Sequence, residues 1–210
     1  WWLQMNEDKE FLKELTTKIG SGSTPRGGNK SYKSFGTSLI RSMNVHDKGF
    51  DYNKLAFIDD EQANKLNIVN IENDDVLINI TGASVARCCI VPNDVLPARV
   101  NQHVSILRAK KNILYPNFLH FILISPNHKN KLLKTGEDGG ATRQAITKNQ
   151  LEKYKIHFPK NYNLQTELVK KIVSTQSLVL KIKSIYEKKL KNLIQLKQSI
   201  LKQELNNKII

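Results

Sequence analysis

Side chains that can read nucleic-acid bases gather beside predicted turns in the first three quarters of the chain. Arginine can donate two hydrogen bonds to guanine, and asparagine or glutamine can pair with both a donor and an acceptor of adenine. Such side chains predict a DNA-reading surface when they occur together in and beside loops. The candidate residues are Thr24, Arg26, Arg41, Ser42, Asn44, Ser84, Arg87, Arg99, Asn101, Gln102, His103, Arg143 and Gln144.

A single residue of this set does not identify a base contact. Half to two thirds of the hydrogen bonds between proteins and DNA reach phosphate or sugar. An isolated arginine is also typical of a surface ion pair. The hypothesis of base reading therefore depends on the set as a whole.

No catalytic motif accompanies these residues in the sequence. The Gly-rich run at residues 20–23 does not open a predicted helix, and there is no Walker-type phosphate loop, methyltransferase cofactor turn or pair of zinc ligands. The acidic residues 59–61 are predicted to cap a helix, and Asp74 and Asp75 to lie in a turn, rather than to bind the metal of a nuclease. We expect no catalytic residue, metal site or cofactor on this chain.

The two cysteines, Cys88 and Cys89, are adjacent. They are predicted to be small apolar residues of a buried strand, and the alternative, a reactive thiol, lacks a neighbouring helix start or histidine. Thiols without a disulfide partner favour a reducing, cytoplasmic location. The chain begins with Trp1 and Trp2, which indicates either a fragment or a start at Met5.

The strongly basic composition predicts a polyanionic partner. The net charge is +14 and the sequence pI is about 9.7, which suits either nucleic acid or an anionic membrane surface. No stretch reaches the roughly 18 apolar residues of a spanning helix, and the apolar face of the C-terminal segment carries no Trp or Phe for a membrane surface. Nucleic acid is therefore the predicted partner, with no membrane.

The elements that must position the candidate residues are of mixed type. Short β-branched runs ended by Gly, Pro, Asn or Asp predict strands, and apolar runs of helical period predict helices. An α+β fold, a mixed α/β recognition domain, is therefore expected over residues 1–159. Strands are predicted at residues 39–45, 87–91, 100–107 and 156–158, and residues 75–82 are predicted to be a strand followed by a turn that ends at Gly82. Helices are predicted at 116–133, interrupted at Pro126, and at 147–154, capped by Thr147.

The composition changes near Pro159, and residues 160–210 are predicted to form one long helix over about 164–205. After Asn163 there is no Gly or Pro, and Lys160 to Ile210 holds eleven Lys and three Glu. Forty residues of helix span about 60 Å, too long for the first domain to cover, so a partner helix is expected; folding back on its own domain is the alternative. The imperfect heptad seam is Leu168, Ile172, Val179, Ile182, Tyr186, Leu193, Leu196 and Ile200.

The order of these motifs resembles the specificity subunit of type I restriction–modification systems, as one target-recognition domain followed by one conserved helix. The segment LKQSIL at residues 196–201 is the most specific match. The other matching segments are residues 12–22 followed by Ser23-Thr24-Pro25, residues 36–45, 75–82, Val100-Asn101-Gln102-His103, 139–151, and 156–159 followed by 165–173.

The resemblance implies a non-catalytic subunit that recognises double-stranded DNA at a bipartite target. Methylation subunits and a restriction or motor subunit would be its partners, and they would carry the S-adenosylmethionine, ATP and Mg²⁺ chemistry. Relatives carry two recognition domains and two helices that form an antiparallel coiled coil, so this chain resembles a half-subunit. It would then act as a homodimer or pair with a second half-subunit.

Two other classes remain open at this point. A basic helical adaptor would bind a protein partner through its helix, with DNA binding incidental. An enzyme, such as a nuclease or a fragment of a methyltransferase, would turn over in the presence of Mg²⁺ or S-adenosylmethionine.

Overall fold

A computed structural model describes residues 7–25, 27–137 and 145–207, and the chain divides into two compact units. The first unit ends at Thr166, and the second begins at Glu167. Among the described residues, no helix combines the length and the apolar character needed to cross a membrane.

The strands of the first unit form four small sheets over its described residues. β2, β10, β7 and β8 lie side by side in a four-stranded antiparallel sheet; β3 pairs antiparallel with β6 and parallel with β9; β1 pairs with β11 and β4 with β5. The bounds are β1 (Glu7–Phe11), β2 (Thr16–Ser21), β3 (Thr37–Ile40), β4 (Val45–His46), β5 (Gly49–Phe50), β6 (Ala56–Ile58), β7 (Val76–Asn79), β8 (Cys88–Ile90), β9 (Ala98–Val100), β10 (Val104–Ala109) and β11 (Lys155–Pro159).

The helices confirm most of the predicted starts and breaks. Asp59 accepts a hydrogen bond from the Gln62 backbone at 3.0 Å and caps the second helix, as expected for the acidic run. Thr147 caps the fifth helix in a capping box with Gln150, and Pro126 divides the predicted helix 116–133 into two. The bounds are α1 (Leu12–Leu15), α2 (Asp60–Lys65), α3 (Pro116–Ile124), α4 (Pro126–Glu137), α5 (Lys148–Glu152) and α6 (Tyr162–Asn207).

The core of the first unit lies on both faces of the central strands. All four residues of β7 are fully buried, as are Cys88 and Cys89 in β8, with α3 packed against both strands. Burial raises the pKa of both thiols, to about 12 for Cys89, so they stay protonated near neutral pH. The prediction that the cysteines are small apolar residues of a buried strand is confirmed.

Two predicted strands were too long. The segment 39–45 leaves β3 at Ile40 and makes a 3₁₀ turn at Ser42–Asn44 before β4. The segment 100–107 splits into β9 and β10, with residues 101–103 in the turn between them. Both corrections move predicted polar residues from strands into turns, where side chains can converge on one surface.

The second unit is the body of α6, and the prediction of one long C-terminal helix is confirmed. The helix has 46 residues and is about 69 Å long at 1.5 Å per residue. Six of its predicted seam residues are at least 50% exposed in the chain, namely Val179, Ile182, Tyr186, Leu193, Leu196 and Ile200. Pairing of this seam with another helix stays a prediction.

Candidate nucleic-acid interface

Predicted polar residues from several connections of the first unit meet around one concavity of about 600 Å³. Ser42 comes from the β3–β4 turn, Ser84 and Arg87 from the β7–β8 connection, and His103 from the β9–β10 turn. We call the surface formed by Thr24, Ser42, Thr81, Ser84, Arg87, Gln102 and His103 the loop surface.

Thr24 and Gln102 join this surface through a chain of hydrogen bonds. Thr24 Oγ1 donates to Gln102 Oε1, and Gln102 Nε2 lies 3.2 Å from His103 Nε2. His103 Nδ1 in turn makes a hydrogen bond with Thr81 Oγ1. The chain links three connections and gives Gln102 and His103 defined orientations, which discrimination between bases requires.

Gly22 places Thr24 within reach of this chain of hydrogen bonds. Its backbone N–H donates to the Asn101 carbonyl at 3.1 Å. A Cβ atom at this position would collide with the Val100 carbonyl oxygen and lie 2.9 Å from the Val100 carbonyl carbon. Since only glycine lacks this atom, the close approach of residue 22 to the β9–β10 turn explains why glycine stands three positions before Pro25.

Two buried amides hold the turn that presents Ser42. Asn44 Oδ1 accepts from the Arg41 backbone at 3.1 Å, and Asn44 Nδ2 donates to the Asp51 carbonyl at 2.9 Å. From β7, Asn79 Nδ2 donates to the Ser42 carbonyl at 2.8 Å. Asn44 was predicted to contact DNA, but it is fully buried and its amide holds the turn. We therefore leave it out of the loop surface.

The β7–β8 connection presents Ser84 and Arg87. Gly82 has φ +74°, a conformation that favours glycine. The Val85 backbone donates to the Gly82 carbonyl at 3.0 Å and the Arg87 backbone to the Ser84 carbonyl at 3.1 Å. The guanidinium of Arg87 makes no hydrogen bond or ion pair to the part of the chain that the structure describes, and it lines the concavity. It is therefore available to an anion.

Arg99 and Asn101 were predicted to contact DNA, but the structure buries both. The Arg99 guanidinium donates to Ala63 O at 3.1 Å, Asn70 Oδ1 at 2.6 Å and Asn67 Oδ1 at 2.8 Å, and its pKa is lowered by burial. Asn101 is 4% exposed and accepts from the His103 backbone at 3.0 Å. Arg99 thus ties β9 to residues 63–70, and Asn101 holds the turn between β9 and β10. We leave both out of the loop surface.

Arg41 is also engaged within the first unit. Its guanidinium donates to the Lys54 carbonyl and lies over the Tyr32 ring, 5.1 Å from the centroid. Arg41 therefore stabilises the turn before Ser42, and its guanidinium is already engaged.

Three predicted residues, Arg26, Arg143 and Gln144, lie outside the described residues. Ala145, which follows Gln144 in the sequence, is held by a hydrogen bond from its backbone to the Gly136 carbonyl at 3.2 Å and by a bridge to Thr81. Ala145 also lines the concavity.

The sequence reasoning missed two residues of this site. Thr81 and Met43 both line the concavity, and Met43 is 39% exposed. Thr81 directly precedes Gly82, so the glycine that ends the predicted strand was the available signal. For Met43 the sequence carried none, because an apolar residue beside a strand is usually core.

Two of the acidic residues that were weighed for a nuclease site, Asp59 and Asp75, hold parts of the fold. Asp59 caps α2, and Asp75, which is fully buried, accepts two hydrogen bonds from Arg108, each at 2.8 Å. Asp75 raises the pKa of the Arg108 guanidinium. Within residues 7–25, 27–137 and 145–207, no cluster of His, Cys, Asp and Glu is arranged to hold a metal ion.

The fold is similar to that of solved specificity subunits. A chain from a structure of complex assembly and conformational transition in the type I R-M system matches with a TM-score of 0.68 and 20% identity, over 93% of this chain and 44% of its own. The S subunit from M. genitalium matches with a TM-score of 0.58 and 14% identity, over 83% of this chain and 40% of its own.

The HsdS subunit from Thermoanaerobacter tengcongensis matches with a TM-score of 0.59 and 14% identity, over 85% of this chain and 44% of its own. At these identities the likeness establishes the fold. The chain spans less than half the length of each of the three solved chains. Among curated proteins no match was found.

Residues 11–198 match the family described as type I restriction modification DNA specificity domain. The chain belongs to this family. The resemblance inferred from its motifs is thereby confirmed, together with the DNA-recognition class of the family, whose members are specificity domains rather than catalytic subunits.

Proposed function

We propose that this chain is a sequence-specific DNA-recognition chain of a type I restriction–modification system, and that the loop surface reads its target. The observation that best supports this proposal is the hydrogen-bonded chain Thr24–Gln102–His103–Thr81, which lies beside Arg87. The guanidinium of Arg87 has no hydrogen-bond or ion-pair partner among the described residues. Fixed amide and imidazole groups next to an available arginine suit the edges of base pairs in the major groove.

Arg26, Arg143 and Gln144 belong to the same proposal because of their place in the sequence. Arg26 follows Thr24 after one residue, and Gln144 precedes Ala145, which lines the concavity. Arg26 and Gln144 therefore lie within two residues, along the sequence, of a residue that belongs to the loop surface or lines its concavity.

In this proposal the catalytic chemistry belongs to partners. Methylation subunits would bind S-adenosylmethionine, and a restriction or motor subunit would use ATP and Mg²⁺, while this chain directs them to the target. The metal and cofactor motifs that such chemistry requires are missing from the sequence, which supports this division.

The exposed seam of α6 supports pairing between two copies of the chain or with a second half-subunit. Exposed apolar side chains at heptad spacing are typical of a coiled-coil surface. Two identical copies related by a twofold axis would place two identical, inverted half-sites on the DNA. The target would then be a palindrome split by a nonspecific spacer.

The test is selection of duplexes from a randomised library by the full chain, with and without methylation subunits. The proposal predicts enrichment of a split, inverted motif, with affinity that falls steeply as salt rises. Salt-sensitive binding without any enriched motif, in both conditions, would support the adaptor instead.

Pairing has its own test in light scattering at several protein concentrations and two salt levels. A stable mass near twice 24.0 kDa supports the paired half-subunit. A monomer at every concentration contradicts the homodimer, and the next experiment would then add a second recognition half.

A further inference from the structure

A second basic surface lies in the first unit, formed by β1, α4, α5 and β11. Its concavity of about 650 Å³ is lined by five lysines and a histidine. We call it the lysine surface and define it by Lys9, Lys131, Lys134, Lys153, Lys155 and His157.

The positions of these residues in their elements bring the charges to one side. Lys9 pairs directly with His157 in the β1–β11 ladder, and Lys155 lies two residues before His157, so these three share a face of the two-stranded sheet. The burial pattern of β11 alternates, with Lys155 and His157 exposed and Ile156 and Phe158 buried. Lys131 and Lys134 are three residues apart in α4 and share a helix face.

The lysine surface carries charge that the described residues leave uncompensated. No Asp or Glu is among the described residues that line its concavity, and its five lysines form no ion pair with the described parts of the chain. The nearby His128 has its pKa lowered by burial first and then by the charges of Lys131 and His157. A cluster of uncompensated positive charge attracts a polyanionic partner.

Four other lysines of the first unit lie beside carboxylates. Lys13, Lys33, Lys65 and Lys148 lie 3.5, 3.3, 2.6 and 3.6 Å from Glu14, Asp59, Glu61 and Glu152. The lysine surface differs from these four because its five lysines line one concavity and have no carboxylate partner among the described residues.

A short stretch of chain connects the lysine surface to the loop surface. Ala145 lines the concavity of the loop surface, and Gln150 lines that of the lysine surface. Gln150 is fixed there by its Nε2, which donates to the Thr135 carbonyl at 3.0 Å. Five residues span at most about 18 Å, about half a helical turn of B-DNA, so the separation of the two concavities along this stretch is small compared with the length of a duplex target.

We propose that the lysine surface binds the phosphate backbone of DNA flanking the half-site, independently of its sequence. The lysines are exposed point charges on flexible stems, which suits phosphates better than base edges. The inference rests on the proposed function for duplex DNA as the polyanion. An acidic protein face is the competing occupant, and the experiment below separates the two.

The experiment compares two variants of the full chain that lose the same charge. The first carries Lys131→Gln, Lys134→Gln, Lys153→Gln and Lys155→Gln, and the matched control carries Lys13→Gln, Lys33→Gln, Lys65→Gln and Lys148→Gln. Fluorescence anisotropy with a duplex of arbitrary sequence, between about 50 and 200 mM salt, gives the slope of log affinity against log salt. Thermal unfolding shows that each variant is folded.

For the first variant we expect a slope smaller in magnitude by about 2–4, since each lost phosphate contact removes about 0.9. The control should change the slope by less than about 1. An unchanged slope in the first variant, an equal change in both, or no binding by the unsubstituted chain at the lowest salt overturns the inference, and an acidic protein is then the occupant to seek.

Sequence preference, measured in parallel on the selected target, separates this inference from the proposed function. A reduced slope with unchanged rank order of sequences supports both. A reduced slope in a chain that prefers no sequence supports the lysine surface and contradicts the proposed function.

Discussion

The loop surface and the lysine surface hold their polar groups in different ways. In the loop surface, Thr24, Gln102 and His103 are hydrogen-bonded to one another and rest on backbone contacts such as that of Gly22. In the lysine surface, the ammonium groups end long side chains without ion-pair partners among the described residues. Fixed donors and acceptors favour discrimination, whereas mobile charges favour affinity for any phosphate backbone.

The largest expected effect is a difference in the free energy of unfolding between variants of Arg99, which is buried in the fold, and of Arg87, which belongs to the loop surface. Arg99→Ala removes donors from Ala63 O, Asn67 Oδ1 and Asn70 Oδ1 and should lower the free energy of unfolding by about 2–4 kcal/mol. Arg87→Ala, the matched control, should change it by less than about 0.5 kcal/mol while weakening DNA binding. Chemical denaturation measures both. Equal free energies of unfolding for the two variants would show that the hydrogen bonds of Arg99 do not stabilise the fold.

A substitution at Gly22 should damage the loop surface and spare the lysine surface. Gly22→Val forces a side chain against the Val100 carbonyl, costing about 1–3 kcal/mol of stability and moving Thr24 away from Gln102. Gly20→Val is the control, since nothing lies within 4 Å of a Cβ there. Discrimination between target and mismatched duplexes should fall for Gly22→Val alone. Retained discrimination would mean that this close approach does not position the loop surface.

Loss of one hydroxyl tests the hydrogen-bonded chain more gently. Thr24→Val keeps the shape of the side chain and removes the donor to Gln102. We expect discrimination at one base pair to fall by about 0.5–1.5 kcal/mol, with the salt slope unchanged. A competition assay with single-mismatch duplexes measures this. A uniform loss of affinity across all duplexes would argue instead for a phosphate contact at Thr24.

The smallest expected effect is the dependence of the free energy of unfolding on pH. Burial lowers the pKa of His120 and His128 below the ordinary value of 6.5, so the unfolded state binds protons first as pH falls. The contribution of these two histidines to the free energy of unfolding should be constant above about pH 7 and should decrease as pH falls below 6.5. His120→Gln, which can still donate to the Cys88 carbonyl, should flatten this dependence. A steeper decrease in the variant would contradict the assigned shift of His120.

Local patterns in the sequence predicted the elements well. Caps such as Thr147, the break at Pro126 and the buried pair Cys88–Cys89 depend on neighbouring residues, and all three were predicted. The long helix was predicted because residues 164–205 lack Gly and Pro and repeat apolar side chains every seven residues.

The membership of the site was harder to predict because it depends on tertiary contacts. Arg99 and Gln102 stand three residues apart in the same polar run, yet one is 7% exposed and the other is exposed. Their difference comes from Asn67 and Asn70, about thirty residues away, which accept hydrogen bonds from Arg99. No local pattern encodes such a partner, and the lysine surface likewise forms only when β1, α4, α5 and β11 meet.

The central claim is that the loop surface reads sequence. The most direct test is the ratio of affinities for the selected target and for duplexes with one altered base pair, measured for Gln102→Ala, Arg143→Ala and the four-lysine variant. We predict that the first two lower the ratio by about 1–3 kcal/mol at a defined position, and that the lysine variant lowers affinity while keeping the ratio. An unchanged ratio in both Gln102→Ala and Arg143→Ala would contradict the account.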